Sequence, residues 1–149
     1  MQKITPFLWF DGKAEEAMNF YTTVFRNSVI KNVSRQGDMV ISATFELEGQ
    51  EFIALNGGPM FKFTEAISFF VKCETQDEVD DYWSKLTDGG TEQQCGWLKD
   101  KYGVSWQIIP NILGKLLSDK DAAKAQRAMH AMMKMKKIDI SRLEQAAAG

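Results

Sequence analysis

The sequence predicts an α+β fold: two β-α-β-β-β modules, about 1–58 and 64–110, followed by a helical C-terminal tail over 111–149 in the same domain. Three observations lead there. The order strand, amphipathic helix, three strands occurs twice along the chain. The two helices align at a constant offset of 62, so that Glu15-Glu16-Ala17 matches Asp77-Glu78-Val79, Phe20-Tyr21 matches Tyr82-Trp83, and Val24 matches Leu86. And 149 residues, 44% of them hydrophobic, are enough to build one domain-sized core.

The elements follow in order. "ITPFLWF" (4–10) is strand-like, and Asp11 is placed to cap the helix after it. In "GKAEEAMNFYTTVF" the residues Ala14, Ala17, Met18, Tyr21, Val24 and Phe25 recur at helical spacing and form one apolar face. Three strands come next: "SVIKNVSR", "MVISATFELE" and "EFIALN", separated by Gly37-Asp38 and Glu48-Gly49-Gln50. Gly57-Gly58-Pro59 ends the first module. "AISFFVKC" (66–73) opens the second. Thr75 and Glu78 then fit the S/T-x-x-E capping box of a helix whose buried stripe is Val79, Tyr82, Trp83 and Leu86. Gly89-Gly90 stops that helix, a short strand near 91–93 follows, and "QCGWLKDKYGVSWQIIP" (94–110) reads as strand, tight turn and strand, reversing at Asp100–Gly103. The strands are expected to form hairpins and antiparallel meanders.

The tail has a high helix propensity over 118–137, with Ser118 or Asp119 as cap and an apolar stripe of Ala125, Ala128, Met129, Met132 and Met135. "ISRLEQAAA" makes a last short helix. A Met-rich stripe is adaptable packing surface, for the sheets or for a partner chain. His130 is a surface or interface residue in this reading.

Composition excludes several classes. The net charge of −2 argues against nucleic acid as the main partner. Residues 1–110 hold 10 basic and 16 acidic side chains, net −6, whereas 111–149 hold 8 and 4, net +4, which reads as a solvated basic helix face. No apolar run is long enough to span a membrane, and "MQKITPFLWFDG" has no signal-peptide core. Cys73 and Cys95 lack CxxC spacing, so reduced thiols in a cytoplasmic protein are expected. No GxGxxG or GK[ST] phosphate loop occurs, and the acidic residues near the helix starts are placed for the helix dipole rather than for acid–base work.

The segments "PFLWFDGKAEEAMNFYTTVF", "LNGGP", "EVDDYWSKL…GG" and "QCGWLKDKYGVSWQIIP" resemble the PhnB-like group of the vicinal-oxygen-chelate superfamily, which includes glyoxalase I, bleomycin-resistance proteins and extradiol dioxygenases. The group is often labelled the 3-demethylubiquinone-9 3-methyltransferase domain. The likeness extends, on this reading, through the tail. It implies two curved sheets, each lining a cavity, usually in a homodimer. It also implies where superfamily enzymes hold a metal: positions near Pro6, Ala54 (register open by one), Ala66 and Gln107. Of these only Gln107 offers an oxygen, and the sole histidine is in the tail. The expectation is therefore a site with no metal and no cofactor. The methyltransferase label finds no support either, because the common S-adenosylmethionine fold needs a parallel βαβ sheet with a glycine-rich first turn.

Strand alternation places Ser105, Gln107 and Ile109 on one face and Trp106 and Ile108 on the other. The candidate ligand-binding residues are Asn56, Ser68, Phe70, Trp97 and Gln107, with Trp97 the tryptophan nearest a pocket mouth. Ser68 and Gln107 either meet a ligand or satisfy each other. The expected function is metal-free binding of an unidentified small molecule. The alternative is an enzyme of the same superfamily, lyase, isomerase or dioxygenase-like, or the methyltransferase that the family label implies and the sequence does not support.

Overall fold

The computed structural model describes residues 2–149 and divides into two compact units, one ending at Phe63 and the other spanning Thr64–Gly149. In the first unit, β1 (Phe7–Phe10), α1 (Ala14–Val24), β2 (Ser28–Gln36), β3 (Met39–Leu47) and β4 (Gln50–Asn56) form a helix on a sheet of order β1-β4-β3-β2. The second unit repeats this with β5 (Ser68–Cys73), α2 (Gln76–Thr87), β6 (Thr91–Glu92), β7 (Trp97–Lys99) and β8 (Ser105–Pro110), in the order β5-β8-β7-β6. The internal repeat is thus a repeat of topology. The sheets are mixed, however, and not simple meanders: β1 runs parallel to β4, and β5 to β8. The first strand of each module pairs with the last, so the helix and the intervening hairpin form the crossover that a parallel pair needs.

Helix periodicity and burial agree in α1, where Ala14, Ala17, Met18, Tyr21 and Val24 are all buried, with Phe25 beyond its end. Leu8, Phe10, Ala43, Phe45, Leu47, Phe52 and Ala54 form the buried face of the sheet, with Tyr21 stacked near Phe45 at 6.4 Å and Phe45 near Phe52 at 5.6 Å. Asp11 does not cap α1. The N-cap is Lys13, without a side-chain bond, and the first free N–H of the helix, that of Ala14, donates instead to Asn56 Oδ1 at 2.9 Å. A cap drawn from 42 residues away leaves no local sequence signal.

In the second unit Thr75 does cap α2, accepting from the Glu78 N–H at 3.2 Å. Glu78 reaches back to the N–H of Glu74 at 2.9 Å, one residue before the usual capping-box partner. The buried stripe is Val79, Trp83 and Leu86, with Tyr82 only half-buried. Trp83 Nε1 donates to Glu92 at 2.7 Å, which places α2 on the face that carries Leu98, Trp106 and Ile108.

The tail is a cap of three helices: α3 (Asn111–Leu117), α4 (Ala122–Met133) and α5 (Ile140–Ala148). α4 begins later than the sequence suggests, at Asp121, which accepts from the N–H groups of Ala123 and Lys124. The packed residues are Ala128, Met132 and Met135, with Leu113, Leu116, Ile138, Leu143 and Ala147 from the rest of the tail and Ile109 from β8. Met129 is 44% exposed, so it leaves the stripe. Three attachments fix this cap. Cys95 and Gly96 donate their N–H groups to the carbonyls of Met135 and Lys136, each at 2.8 Å. Gln76 donates to the Ile138 carbonyl at 3.0 Å and accepts from the Ile140 N–H at 2.8 Å. Lys137 pairs with Asp80 at 2.7 Å, and that contact, with a second bond from Gln76, holds the Asp80 carboxyl below its usual range.

Gln76→Ala is expected to lower stability by about 2 kcal/mol, because it strips two backbone groups of their partner. Hydrogen exchange at the Ile140 amide checks it: protection should fall there while β8 stays protected.

Candidate functional site

Ladder register fixes which side chains share the face of the second sheet turned away from α2. On β5 these are Ser68, Phe70 and Lys72. On β8 they are Ser105, Gln107 and Ile109, and on β7 Trp97 and Lys99. Gln107 lies between Phe70 on one neighbouring strand and Trp97 on the other. Its Nε2 donates to Ser68 Oγ at 2.9 Å, so the two polar residues do meet. That bond uses one amide hydrogen and leaves Oε1 uncommitted. Phe70 is 54% exposed, and Trp97 is half-buried.

The four tryptophans differ in one respect. Trp9 Nε1 donates to the Gly58 carbonyl, Trp83 to Glu92 and Trp106 to Asp100, at 2.7–2.9 Å. The indole of Trp97 makes no such bond among the described residues. Lys99 is neutralised by Glu65 at 3.1 Å, and Gln93 holds the other Glu65 oxygen at 3.1 Å. The Lys99 ammonium is the main cause that keeps the Glu65 carboxyl below its usual range. Ile109 closes one end of this face beneath the tail cluster.

One residue of the face was not singled out from sequence. Ser105 is 1% exposed, and its Oγ has no hydrogen-bond partner among the described residues. It stands opposite Ser68 on one side and Lys99 on the other. The alternation that selects Gln107 selects Ser105 as well, two residues earlier; only burial and the missing partner distinguish it.

Asn56, in the first unit, has a different position. Its Oδ1 caps α1 and its Nδ2 donates to the Val40 carbonyl at 3.0 Å, so both ends of its amide are held by backbone. Ala54 is buried on the α1 side of its sheet. The residues that share the other face of β4 are Glu51, Ile53 and Leu55, and of these Glu51 alone carries a donor atom. Glu51, at the outer end of that strand, is engaged by Thr5 at 3.2 Å and by Lys31 at 3.3 Å. Lys31 bridges Glu51 and Glu46, and these two bonds, that to Glu46 foremost, raise its pKa.

The positions at which the superfamily implies a metal therefore carry an unsuited donor set: proline, aliphatic side chains and one amide. Among the described residues no three His, Cys, Asp or Glu side chains converge. Cys73 is fully buried and its thiol is pushed up to about 12, by burial first and then by Glu78, so it is no nucleophile at neutral pH. Cys95 and Cys73 are both free. No helix among the described residues is long and apolar enough to cross a membrane.

Comparison with known proteins follows the same outline. The family model described as 3-demethylubiquinone-9 3-methyltransferase matches residues 2–109. A solved structure from Bacillus cereus, a putative 3-demethylubiquinone-9 3-methyltransferase and PhnB protein, is 45% identical, with a TM-score of 0.69 over 73% of this chain and 99% of its own. A Pseudomonas aeruginosa protein at 18% identity has a TM-score of 0.64 over 74% of this chain and 98% of its own. A fosfomycin resistance protein from Listeria monocytogenes, solved with Mn(II) and sulfate, shares the fold at 14% identity and a TM-score of 0.52, over 71% and 88% of the two chains. No curated protein sequence matches. The family match stops at the end of β8, so the likeness covers the paired modules and not the tail, against the wider reading of the sequence. With two β-α-β-β-β sheets of the expected order and a family match over most of its length, this chain belongs to the PhnB-like family of the glyoxalase/bleomycin-resistance superfamily.

Proposed function

We propose that the protein binds a small organic molecule on the face of the second sheet turned away from α2, without a metal ion. One observation carries this reading: Gln107 stands where the superfamily would place a ligating side chain, flanked by Phe70 and Trp97, with an uncommitted amide oxygen. An amide among aromatic walls suits a polar group on an apolar body. The donor set argues against a resident divalent metal. The methyltransferase name borne by the family and by the Bacillus relative is no part of this reading, because each sheet has a single parallel pair at its first strand and no nucleotide-binding βαβ turn. Asn56, committed to backbone, takes a supporting role.

The proposal also includes a cytoplasmic homodimer. Val29, Ile30, Met39 and Ile41 are exposed on β2 and β3 at one edge of the first sheet, an apolar margin that a second copy would cover. Native mass spectrometry of freshly purified protein, with elemental analysis of the same sample, tests the ligand, the absence of metal and the dimer. The expected result is a two-chain mass carrying an organic adduct that is lost on denaturation, with no stoichiometric Zn, Ni, Fe or Mn. One tightly held metal ion per chain would overturn the metal-free reading, and a bare monomer would remove the dimer.

A further inference from the structure

We infer that the ligand of this face is a neutral, flat molecule with a carbonyl-like acceptor on its edge, received by Ser68, Ser105, Trp97 and Gln107. The inference rests on the binding face proposed above and goes on to the chemistry of what binds. Four uncommitted donors share that face, one of them the second Nε2 hydrogen of Gln107. Ser68 Oγ accepts from Gln107, which leaves its own proton free to donate. Ser105 Oγ is buried and has no partner, an arrangement that native proteins tolerate where something else supplies the partner. Among the described residues the Trp97 indole N–H is the one indole donor left without an acceptor. Against these four donors, Gln107 Oε1 is a group that only accepts, while the two hydroxyls can accept as well as donate. A ligand that satisfies them presents acceptor atoms in excess and one donor, as a primary amide or lactam does.

Shape and charge narrow the class further. Phe70 and Trp97 flank Gln107 from the strands on either side. Two inter-strand gaps of about 4.8 Å set their backbones about 9.6 Å apart. A flat group in van der Waals contact with a ring on each side needs about 7–8 Å. A planar ring set over the Gln107 amide would have an aromatic residue on the strand to either side. Lys99, the cation beside Ser105, is already paired with Glu65, and Lys72 lies two residues further along β5, out in solvent at the end of the face. Among the described residues no unpaired charge shares the face beside the serine pair, and an ionised group brought there would lose its hydration without a counter-ion. The buried position of the Ser105 hydroxyl puts the polar edge of the ligand at the floor and its ring between the aromatic walls.

Benzamide, benzoate and benzylamine make a matched set of probes: one ring, with a neutral amide, an anion or a cation. Heteronuclear NMR titration of the full chain reads the Trp97 indole N–H and the Gln107 side-chain amide. Benzamide is expected to shift both saturably, with benzoate and benzylamine at least tenfold weaker. Ser105→Ala should weaken benzamide about tenfold while raising Tm by about 3 °C, because it deletes a buried hydroxyl that has no partner. A purely structural serine would give the reverse, a lower Tm and unchanged binding. The unchanged position of the Trp106 indole signal reports that the variant is folded. Equal or tighter binding of benzoate, no saturable shift with benzamide, or unaltered affinity in Ser105→Ala would each overturn the inference. The adduct seen by native mass spectrometry separates the two levels: a charged or non-planar copurified molecule keeps the binding role and sinks this ligand class.

Discussion

Asp100→Ala is expected to be among the most damaging single substitutions in the second unit, with a loss of about 3–5 kcal/mol. Asp100 is 3% exposed at the start of the turn between β7 and β8. Its Oδ1 accepts from the N–H groups of Tyr102 at 2.8 Å and Val104 at 3.1 Å, and its Oδ2 from the Trp106 indole at 2.9 Å. Its backbone closes the same turn, with bonds at 2.9 Å to Val104 and Gly103, where Gly103 takes φ 88°. Alanine would strand two buried donors, at about 1–3 kcal/mol each, and leave space beneath Trp106. Against a typical total of about 5–15 kcal/mol this is a large fraction. Asp100→Asn should fall between: one oxygen can still serve the turn, but the amide group then turns its hydrogens toward another donor. Urea denaturation read by near-ultraviolet circular dichroism gives the two midpoints. A loss below about 1 kcal/mol for the alanine variant would mean that water takes over the carboxylate's role. Because this turn sets the β7–β8 register, which puts Trp97 opposite Gln107, ligand binding should weaken along with stability.

Gly96→Ala is expected to unseat the tail. Gly96 has φ 82°, a conformation that costs a side chain about 1–3 kcal/mol. A β-carbon there would lie 2.7 Å from Ile109 Cδ1 and 3.1 Å from both the Ile108 carbonyl and Ile138 Cγ1. The backbone carbonyl cannot yield without breaking the bond from Ile108 N–H to the Gly96 carbonyl at 2.8 Å. Strain and overpacking together come to about 3–5 kcal/mol. The position also donates to the Lys136 carbonyl, so the damage is directed at the tail. Trypsin should cut Gly96→Ala first within Lys134–Lys137, while β5 and β8 resist. Cys95→Gly is the counter-test. Cys95 sits at φ 60°, and glycine relieves that strain, so the tail should stay docked. Equal protease resistance in Gly96→Ala and the natural protein would show that the tail is held elsewhere.

Both substitutions fall in a stretch that the sequence reveals only in part. The reversal at Asp100–Gly103 is legible, because an Asx residue followed by glycine three positions later is local chemistry. The kink at Cys95-Gly96 is not, because a cysteine at positive φ has no propensity signal and its reason, the backbone of Met135 and Lys136, lies some 40 residues away. The same distinction runs through the rest of the chain. Thr75 announces its cap from three residues away, whereas Asn56 caps α1 across a sheet. Helix α3 follows β8 directly and contains Gly114, so "NILGKLL" offers neither the length nor the propensity of a helix; packing of Leu113 and Leu116 into the tail cluster decides it. Met129 fits the apolar spacing of α4, but α4 turns Ala128 and Met132 toward α3 and α5. In the candidate site the face shared by Ser68, Phe70, Trp97 and Gln107 is legible from strand alternation. The importance of Ser105 is not, because a missing hydrogen bond exists only in three dimensions.

The three-point attachment of the tail has a consequence in time. Met135 follows Pro110, the last residue of β8, by 25 positions. At translation rates of about 5–20 residues per second, roughly one to five seconds pass between completion of the sheet's last strand and synthesis of the segment that docks at Cys95 and Gly96. In that interval Ile109 is bare, and the entry to β7 lacks the carbonyls that hold its two positive-φ residues. A nascent chain would therefore carry a finished sheet before the Cys95-Gly96 kink that leads into β7 has its lasting position. Slowing translation across 111–135 would lengthen that exposed state without changing a single contact of the mature protein.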